Sequence, residues 1–204
     1  MGTRGVMGFR IGEVDKVSYN HFDSYPDGLG LQILDFIREV EDDAELKEIA
    51  GRIELIDQNV PPTPEQIEVC REAGTIDLKV SEQSERDWYC LLRNAQGDLS
   101  GFRKTADNQS PLPFMIDSHL FMGDSLFCEW GYILNTDTGN LEVYKGFNKD
   151  AGAPGRYASL HGERDSDYYG IALIWELPFN VARNISDEDF VTEANRRAGY
   201  DEEE

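Results

Sequence analysis

The fold is decided by the stretch RGVMGFRIGEVDKVSYNHFDSYPDGLG, residues 4–30. Residues 4–11 have strand character, residues 12–13 predict a turn, and residues 16–20 predict the partner strand. A cluster of hydrogen-bonding side chains follows directly, and a turn containing proline and glycine then opens a helix. This order predicts a site at the point where a small sheet leads into a helix.

Helical spacing of apolar residues predicts further helices along the chain. The clearest start is Thr63, which is followed by Pro64 at the first helical position and by Gln66 in a capping box. The predicted helices run from Gly30 to Val40, over residues 43–57, from Thr63 to Gly74, from Ser84 to before Gly97, and from Ser186 to Gly199.

The last third of the chain predicts strands instead. Alternating apolar residues over 127–135 and 141–147 predict a hairpin with its turn at 136–140. Residues 168–177 form a continuous apolar run, which predicts a central strand that is buried on both faces and ended by Pro178.

Together these elements predict a single α+β domain over residues 1–200. Its core is a mainly antiparallel sheet of about five strands with helices packed on it, most of them inserted between the second and third strands. Residues 201–204, DEEE, are predicted to form an acidic tail.

The chain has a net charge of -21, from 40 acidic and 19 basic residues. Binding to the phosphates of nucleic acid needs a basic stripe, and none is visible, so we expect no direct nucleic-acid binding. The acidic excess favours a solvated surface, and it also suits a basic protein partner. The sequence indicates no oligomeric state.

The cellular compartment is indicated by the hydropathy of the chain and by the spacing of its cysteines. No stretch approaches the ~18 apolar residues of a membrane span, and the N-terminus lacks the features of a signal peptide. Cys70, Cys90 and Cys128 show no CxxC spacing, which is typical of reduced thiols in a cytosolic protein. We therefore expect a soluble, cytoplasmic protein that does not associate with a membrane.

Residues 19–25 bring together an imidazole, a carboxylate, an amide, a Ser hydroxyl and two phenols. A site that orients a polar ligand needs this mixture of donors and acceptors. In a strand continuing from Val17, His21 and Asp23 share one face, where they would form a base and its orienting carboxylate. For each residue alone, a structural role such as capping is the alternative. The cluster as a whole favours a function, with ligand contacts predicted for Tyr19, Asn20, His21 and Tyr25.

Two alternatives explain Gly28-Leu-Gly30 at the start of a helix, a phosphate cradle and a tight turn. The dinucleotide fingerprint needs a glycine where Ile33 lies, and Asp27 places a negative charge beside the anion, so the sequence favours the turn. None of the three histidines has a partner at metal-ligand spacing. We predict no cofactor and no metal.

The opening MGTR, followed by YNHFDSYPDGLG at residues 19–30, resembles a family of proteins from bacteria, their phages and fungi. Chains of that family open with MGTR and contain a DxYPxGxG block. An aromatic-rich hairpin over residues 130–147 is similar in a looser way. This resemblance supplies no assigned activity.

The segment YNHFD, residues 19–23, also resembles the turn after the second strand in N-terminal nucleophile hydrolases of the bile-salt-hydrolase and penicillin-acylase kind. This likeness implies a layered sheet and amide hydrolysis. Such enzymes need Cys, Ser or Thr at a processed terminus, whose free amine acts as the base. Removal of Met1 would expose Gly2, so Thr3 would serve as the nucleophile only after a further cleavage. Asp23 is the second predicted catalytic residue.

Two hypotheses about function follow. In the first, a ligand-binding or hydrolase-like domain has a polar pocket at its first two strands, where Arg4 holds an anionic group and Asp23 orients a polar one. The ligand is then small and polar. In the second, the chain is an acidic, non-enzymatic interaction protein, linked to phages, which binds a basic protein surface through residues 39–48.

Overall fold

A computed structural model of the chain describes residues 2–160 and 167–200, so the predicted acidic tail lies outside the described residues. The strands are β1 Gly5–Ile11, β2 Val14–Asn20, β3 Glu54–Ile56, β4 Phe114–Ile116, β5 Trp130–Asn135, β6 Asn140–Lys145 and β7 Ala172–Pro178. The helices are α1 Leu31–Glu39, α2 Asp43–Arg52, α3 Pro64–Glu72, α4 Trp88–Leu91, α5 Phe179–Ala182 and α6 Asp187–Arg197.

One sheet has the strand order β2-β1-β5-β6-β7, and β3 pairs with β4 separately. In the large sheet β1 pairs antiparallel with β2 and parallel with β5, while β6 pairs antiparallel with both β5 and β7. The predicted α+β fold around a mainly antiparallel sheet is therefore confirmed.

The predicted hairpin of the first two strands is also confirmed. Gly12 and Glu13 have φ values of 55° and 64°, in the left-handed region that two-residue hairpin turns require. The Asp137 carboxylate accepts hydrogen bonds from both of their backbone N–H groups, which lowers the pKa of Asp137. A Cβ atom at Gly8 would lie 2.0 Å from the carbonyl oxygen of Lys16, so the close pairing of the two strands needs glycine there.

The helix starts agree with local sequence chemistry. Thr63 and Gln66 form the predicted capping box at the start of α3, and the Ser186 hydroxyl accepts from the backbone N–H of Asp189 at the start of α6. The helix predicted from Ser84 begins only at Trp88, because the Asp87 carboxylate caps it. No helix of the described part of the chain is both long and apolar enough to span a membrane.

The helix predicted over residues 43–57 is too long. It ends at Arg52, where Ile53 turns to extended backbone, and the next three residues form β3. The backbone N–H of Glu54 donates to the carbonyl of Pro113 over 2.7 Å, which brings β3 alongside β4. Pairing with a segment sixty residues away thus replaces the last turn of the predicted helix.

The apolar run at 168–177 does not form a central strand. The strand in this segment, β7, lies at the edge of the sheet, and β5 occupies the centre with every residue buried. One face of β7 packs under α6, where Trp175 stacks on Phe190 with ring centroids 5.6 Å apart. The apolar side chains of β7 are mostly half-buried, with Trp175 against the main core and Leu173 against the smaller cluster on the other face. An edge position also tolerates Pro178.

The two faces of the sheet bury different clusters. Met7 and Phe9 of β1 face the main core, which lies between the sheet and the helices. Val6 of β1 and Val17 of β2 face a smaller cluster on the opposite side. Because side chains alternate along a strand, consecutive residues near the start of β1 lie on opposite faces.

Candidate functional site

A cleft of about 460 Å³ lies along β2, at the edge of the large sheet. Its volume is within the range of roughly 300–1,000 Å³ that is usual for small-molecule sites. We call it the Arg4 cleft. It is lined by Arg4, Ser18, Tyr19, Gln58, Tyr89, Gln96, Ile116, Asp117, Ser118, Leu120, Phe121, Asp124 and Phe127.

Arg4 is the positively charged residue in the lining of this cleft. Its backbone carbonyl accepts a hydrogen bond from the N–H of Glu129 over 2.9 Å, which extends the pairing of β1 with β5 and positions the residue. Its guanidinium lies 4.5 Å from the centre of the Phe127 ring. Within residues 2–160 and 167–200, Arg4 forms no ion pair, so its charge is available to a ligand.

Tyr19 lies next to Arg4 in the cleft and is paired with His21. The Tyr19 hydroxyl is 2.6 Å from His21 Nδ1. Burial raises the pKa of the Tyr19 phenol, and the nearby positive charge of Arg4 partly opposes this. The Phe121 ring meets the Tyr19 ring edge-on at 5.1 Å, which holds the phenol in place.

Thr3 and Asn20 do not line the cleft, and both are buried. The Asn20 amide donates to the Ser24 hydroxyl over 2.9 Å and to the carbonyl of Phe22. The Thr3 carbonyl accepts from the backbone N–H of Ser24 over 3.2 Å. These contacts hold the turn after β2 against the start of β1. Thr3 is therefore part of this buried packing, whereas the next residue, Arg4, lines the cleft.

Asp23 and Tyr25 are exposed and also lie outside the cleft lining. Asp23 has a φ of 51°, and its carbonyl accepts from Leu29 N–H over 2.8 Å. The carbonyl of Tyr25 accepts from two N–H groups of the following π-helical turn, Pro26–Gly30. In the described chain no hydrogen bond joins Asp23 to His21, because β2 ends at Asn20 and strand alternation stops there.

The far wall of the cleft was not predicted. Tyr89, Phe121 and Phe127 come from segments that are distant from β2 in sequence, and no local pattern marks them. Asp117 lines the same wall, and its carboxylate lies 2.8 Å from Nδ1 of His119. The spacing of this Asp–His pair is visible in the sequence, but its position beside Tyr19 is not.

Among the residues that the structure describes, no group of three His, Cys, Asp or Glu side chains has the geometry of a metal site. Comparisons of the chain with protein-family models, with curated proteins and with solved structures give no match. The assignment of function therefore depends on the geometry of the cleft.

Proposed function

We propose that this protein binds a small organic anion in the Arg4 cleft, with the anionic group on the Arg4 guanidinium and an apolar body against the aromatic wall. The observation that supports this is an arginine without an ion pair in the described chain, held over the Phe127 ring in a cleft of ligand size. A guanidinium presents several fixed N–H donors and binds carboxylates in a bidentate manner.

The unpaired state of Arg4 is informative because acidic side chains are abundant. The chain contains 40 acidic and 19 basic residues, so partners for arginine are not scarce. Most arginines in the described chain do form ion pairs, namely Arg10, Arg38, Arg52, Arg71, Arg103, Arg156, Arg183, Arg196 and Arg197. A fold that pairs most of its arginines and leaves one in a cleft supports a role for that one in binding.

The test is a calorimetric titration with 3-phenylpropionate, an anion with an apolar body. A hydrogen bond to a charged group contributes about 1.5–3 kcal/mol, so we expect Arg4→Gln to weaken binding by about 10- to 100-fold. The matched control is Lys47→Gln, which removes one positive charge from the exposed face of α2, away from the cleft. An equal loss in both variants, or no binding of either 3-phenylpropionate or L-phenylalanine by the unmodified protein, would contradict the proposal.

Amide hydrolysis, with Thr3 as the nucleophile and Asp23 in support, stays a separate proposal. It does not share the Arg4 cleft, because Thr3 is buried and lies outside the lining of that cleft. The mechanism needs Thr3 at the start of the mature chain. Intact-mass measurement of the protein from its native cell decides: a mass that includes Gly2 excludes Thr3 as an N-terminal nucleophile.

An acidic interaction surface is the second candidate. The α1–α2 junction and the first half of α2 present Glu41, Asp42, Asp43 and Glu48 as exposed side chains, and this supports binding to a basic protein. Such binding weakens as salt rises, because exposed charges are screened. Neutralising these four residues should abolish capture of a basic partner and leave the binding of 3-phenylpropionate unchanged; the reverse pattern excludes the surface.

We also propose that the protein is cytoplasmic. Cys70, Cys90 and Cys128 are free and buried, which suits a compartment where thiols stay reduced. Fractionation of the native cell tests this location.

A further inference from the structure

We propose that the ligand of the Arg4 cleft is a zwitterion, an α-amino acid with an aromatic side chain. Its carboxylate binds Arg4, its ammonium donates to the phenolic oxygen of Tyr19, and its ring packs on the aromatic wall. This inference rests on the proposed function and adds the second charge of the ligand.

The contact of Tyr19 with His21 bears on whether the phenol donates or accepts a hydrogen bond toward a ligand. The Tyr19 oxygen lies 2.6 Å from His21 Nδ1, and the imidazole tautomer sets which of the two groups donates. In the tautomer with the ring hydrogen on Nε2, which the proposal requires, Nδ1 accepts the hydrogen of the Tyr19 phenol. Since a phenol has only one hydrogen, its oxygen presents only lone pairs to the cleft, and a ligand group that meets it must be a donor.

The charges of the cleft also favour a zwitterion. Arg4 is accompanied in the lining by two carboxylates, Asp117 and Asp124. A simple anion would be attracted by Arg4 and repelled by both aspartates. A ligand with one negative and one positive group satisfies both signs, because its ammonium lies in the field of the carboxylates and its carboxylate lies on the guanidinium.

The remaining wall explains the aromatic side chain. The cleft is lined by three aromatic residues, Tyr89, Phe121 and Phe127. Leu120 lies in the same lining and is 64% exposed. A large exposed apolar residue beside three rings forms an apolar surface that a ligand ring would cover. Aromatic rings pack well on such surfaces in edge-on or offset arrangements.

The experiment compares three probes by calorimetry on the full chain. L-Phenylalanine has both charges, 3-phenylpropionate lacks the ammonium, and phenethylamine lacks the carboxylate. We expect L-phenylalanine to bind at least about 10-fold more tightly than either of the others. If 3-phenylpropionate binds as tightly as L-phenylalanine, and through Arg4, the zwitterion is excluded and the proposed function stands. If neither carboxylate binds, both proposals fail.

A pair of tyrosine variants tests the role of Tyr19. Tyr19→Phe keeps the ring against Phe121 and removes the accepting oxygen, so the affinity for L-phenylalanine should fall about 10-fold while that for 3-phenylpropionate stays within about two-fold. Tyr89→Phe, the same change elsewhere in the cleft, should leave the ratio of the two affinities unchanged. Equal losses for both ligands in Tyr19→Phe would show that Tyr19 only maintains the shape of the cleft, which overturns its proposed contact.

Discussion

Replacing Lys145 with methionine should stabilise the protein at neutral pH. Lys145 ends β6 and is 8% exposed. Its Nζ lies 5.1, 4.6 and 5.3 Å from the ring centres of Trp130, Phe147 and Tyr200. It donates to the carbonyl of Glu129 over 3.4 Å, and in the described chain no carboxylate forms an ion pair with it. The folded protein thus buries a charged amine with few polar partners.

The magnitude follows from the pKa of this amine. Burial lowers the pKa of Lys145 from 10.5 to about 8. At about 1.36 kcal/mol per pH unit, this difference is equivalent to roughly 3 kcal/mol against the charged form in the folded state. The contacts with the three rings offset part of this cost. Methionine matches the length of the lysine stem, so we expect Lys145→Met to raise the free energy of unfolding by about 2 kcal/mol at pH 7.

The gain should depend on pH. Between about pH 8 and 10.5 the unfolded chain holds the Lys145 proton and the folded protein does not, so the stability of the unmodified protein rises with pH in this window. The advantage of the variant is therefore complete below about pH 8 and shrinks above it. Urea denaturation at about pH 7 and about pH 9.5 measures both values. The control, Lys47→Met on the exposed face of α2, should change stability by less than about 0.5 kcal/mol at either pH.

Two outcomes would refute this reasoning. If Lys145→Met destabilises the protein at about pH 7, the rings stabilise the ammonium more than burial penalises it. If the gain is the same at both pH values, the buried charge is not its cause.

Two further changes test the framework of the sheet by urea denaturation. Arg156→Met removes the partner of Glu142, which is 3% exposed, at 2.6 Å and of Asp15 at 2.8 Å, and should cost about 3–5 kcal/mol. Arg156→Met with Glu142→Leu should recover part of that loss, and no recovery would show that the Glu142 charge is not its cause. Gly8→Ala places a Cβ 2.0 Å from the carbonyl oxygen of Lys16 and should destabilise by about 3 kcal/mol. In Gly51→Ala the added Cβ would lie 3.8 Å from its nearest neighbour, so this change should stabilise α2 by about 0.5–1 kcal/mol. A similar effect at both glycines would contradict a steric cause.

Elements with strong local signals were predicted well. The first hairpin depends on strand patterning and on a two-residue turn, and the starts of α3 and α6 depend on side chains within three residues of the cap. Such interactions are complete within a few residues, so a single sequence contains them.

Elements that depend on distant partners were missed or misplaced. The strands β3 and β4 have three residues each and exist because they pair with one another across the chain. Hydrophobicity predicts a central position for the apolar run that contains β7, because it indicates burial without showing which elements cover the strand. Here α6 covers Trp175 on one face of β7, and the smaller cluster covers Leu173 on the other.

Local sequence patterns are enough to predict the fold class and the strand–turn–helix start, and Arg4 and Tyr19, which they single out, line the cleft. Tertiary structure alone decided that Thr3 and Asn20 face away from that cleft and that Asp23 supports a turn. The physical reason is alternation, since neighbouring residues on a strand point to opposite faces and only the packed sheet determines which face is open. The aromatic wall opposite Arg4 likewise exists only after segments far apart in the chain have packed together.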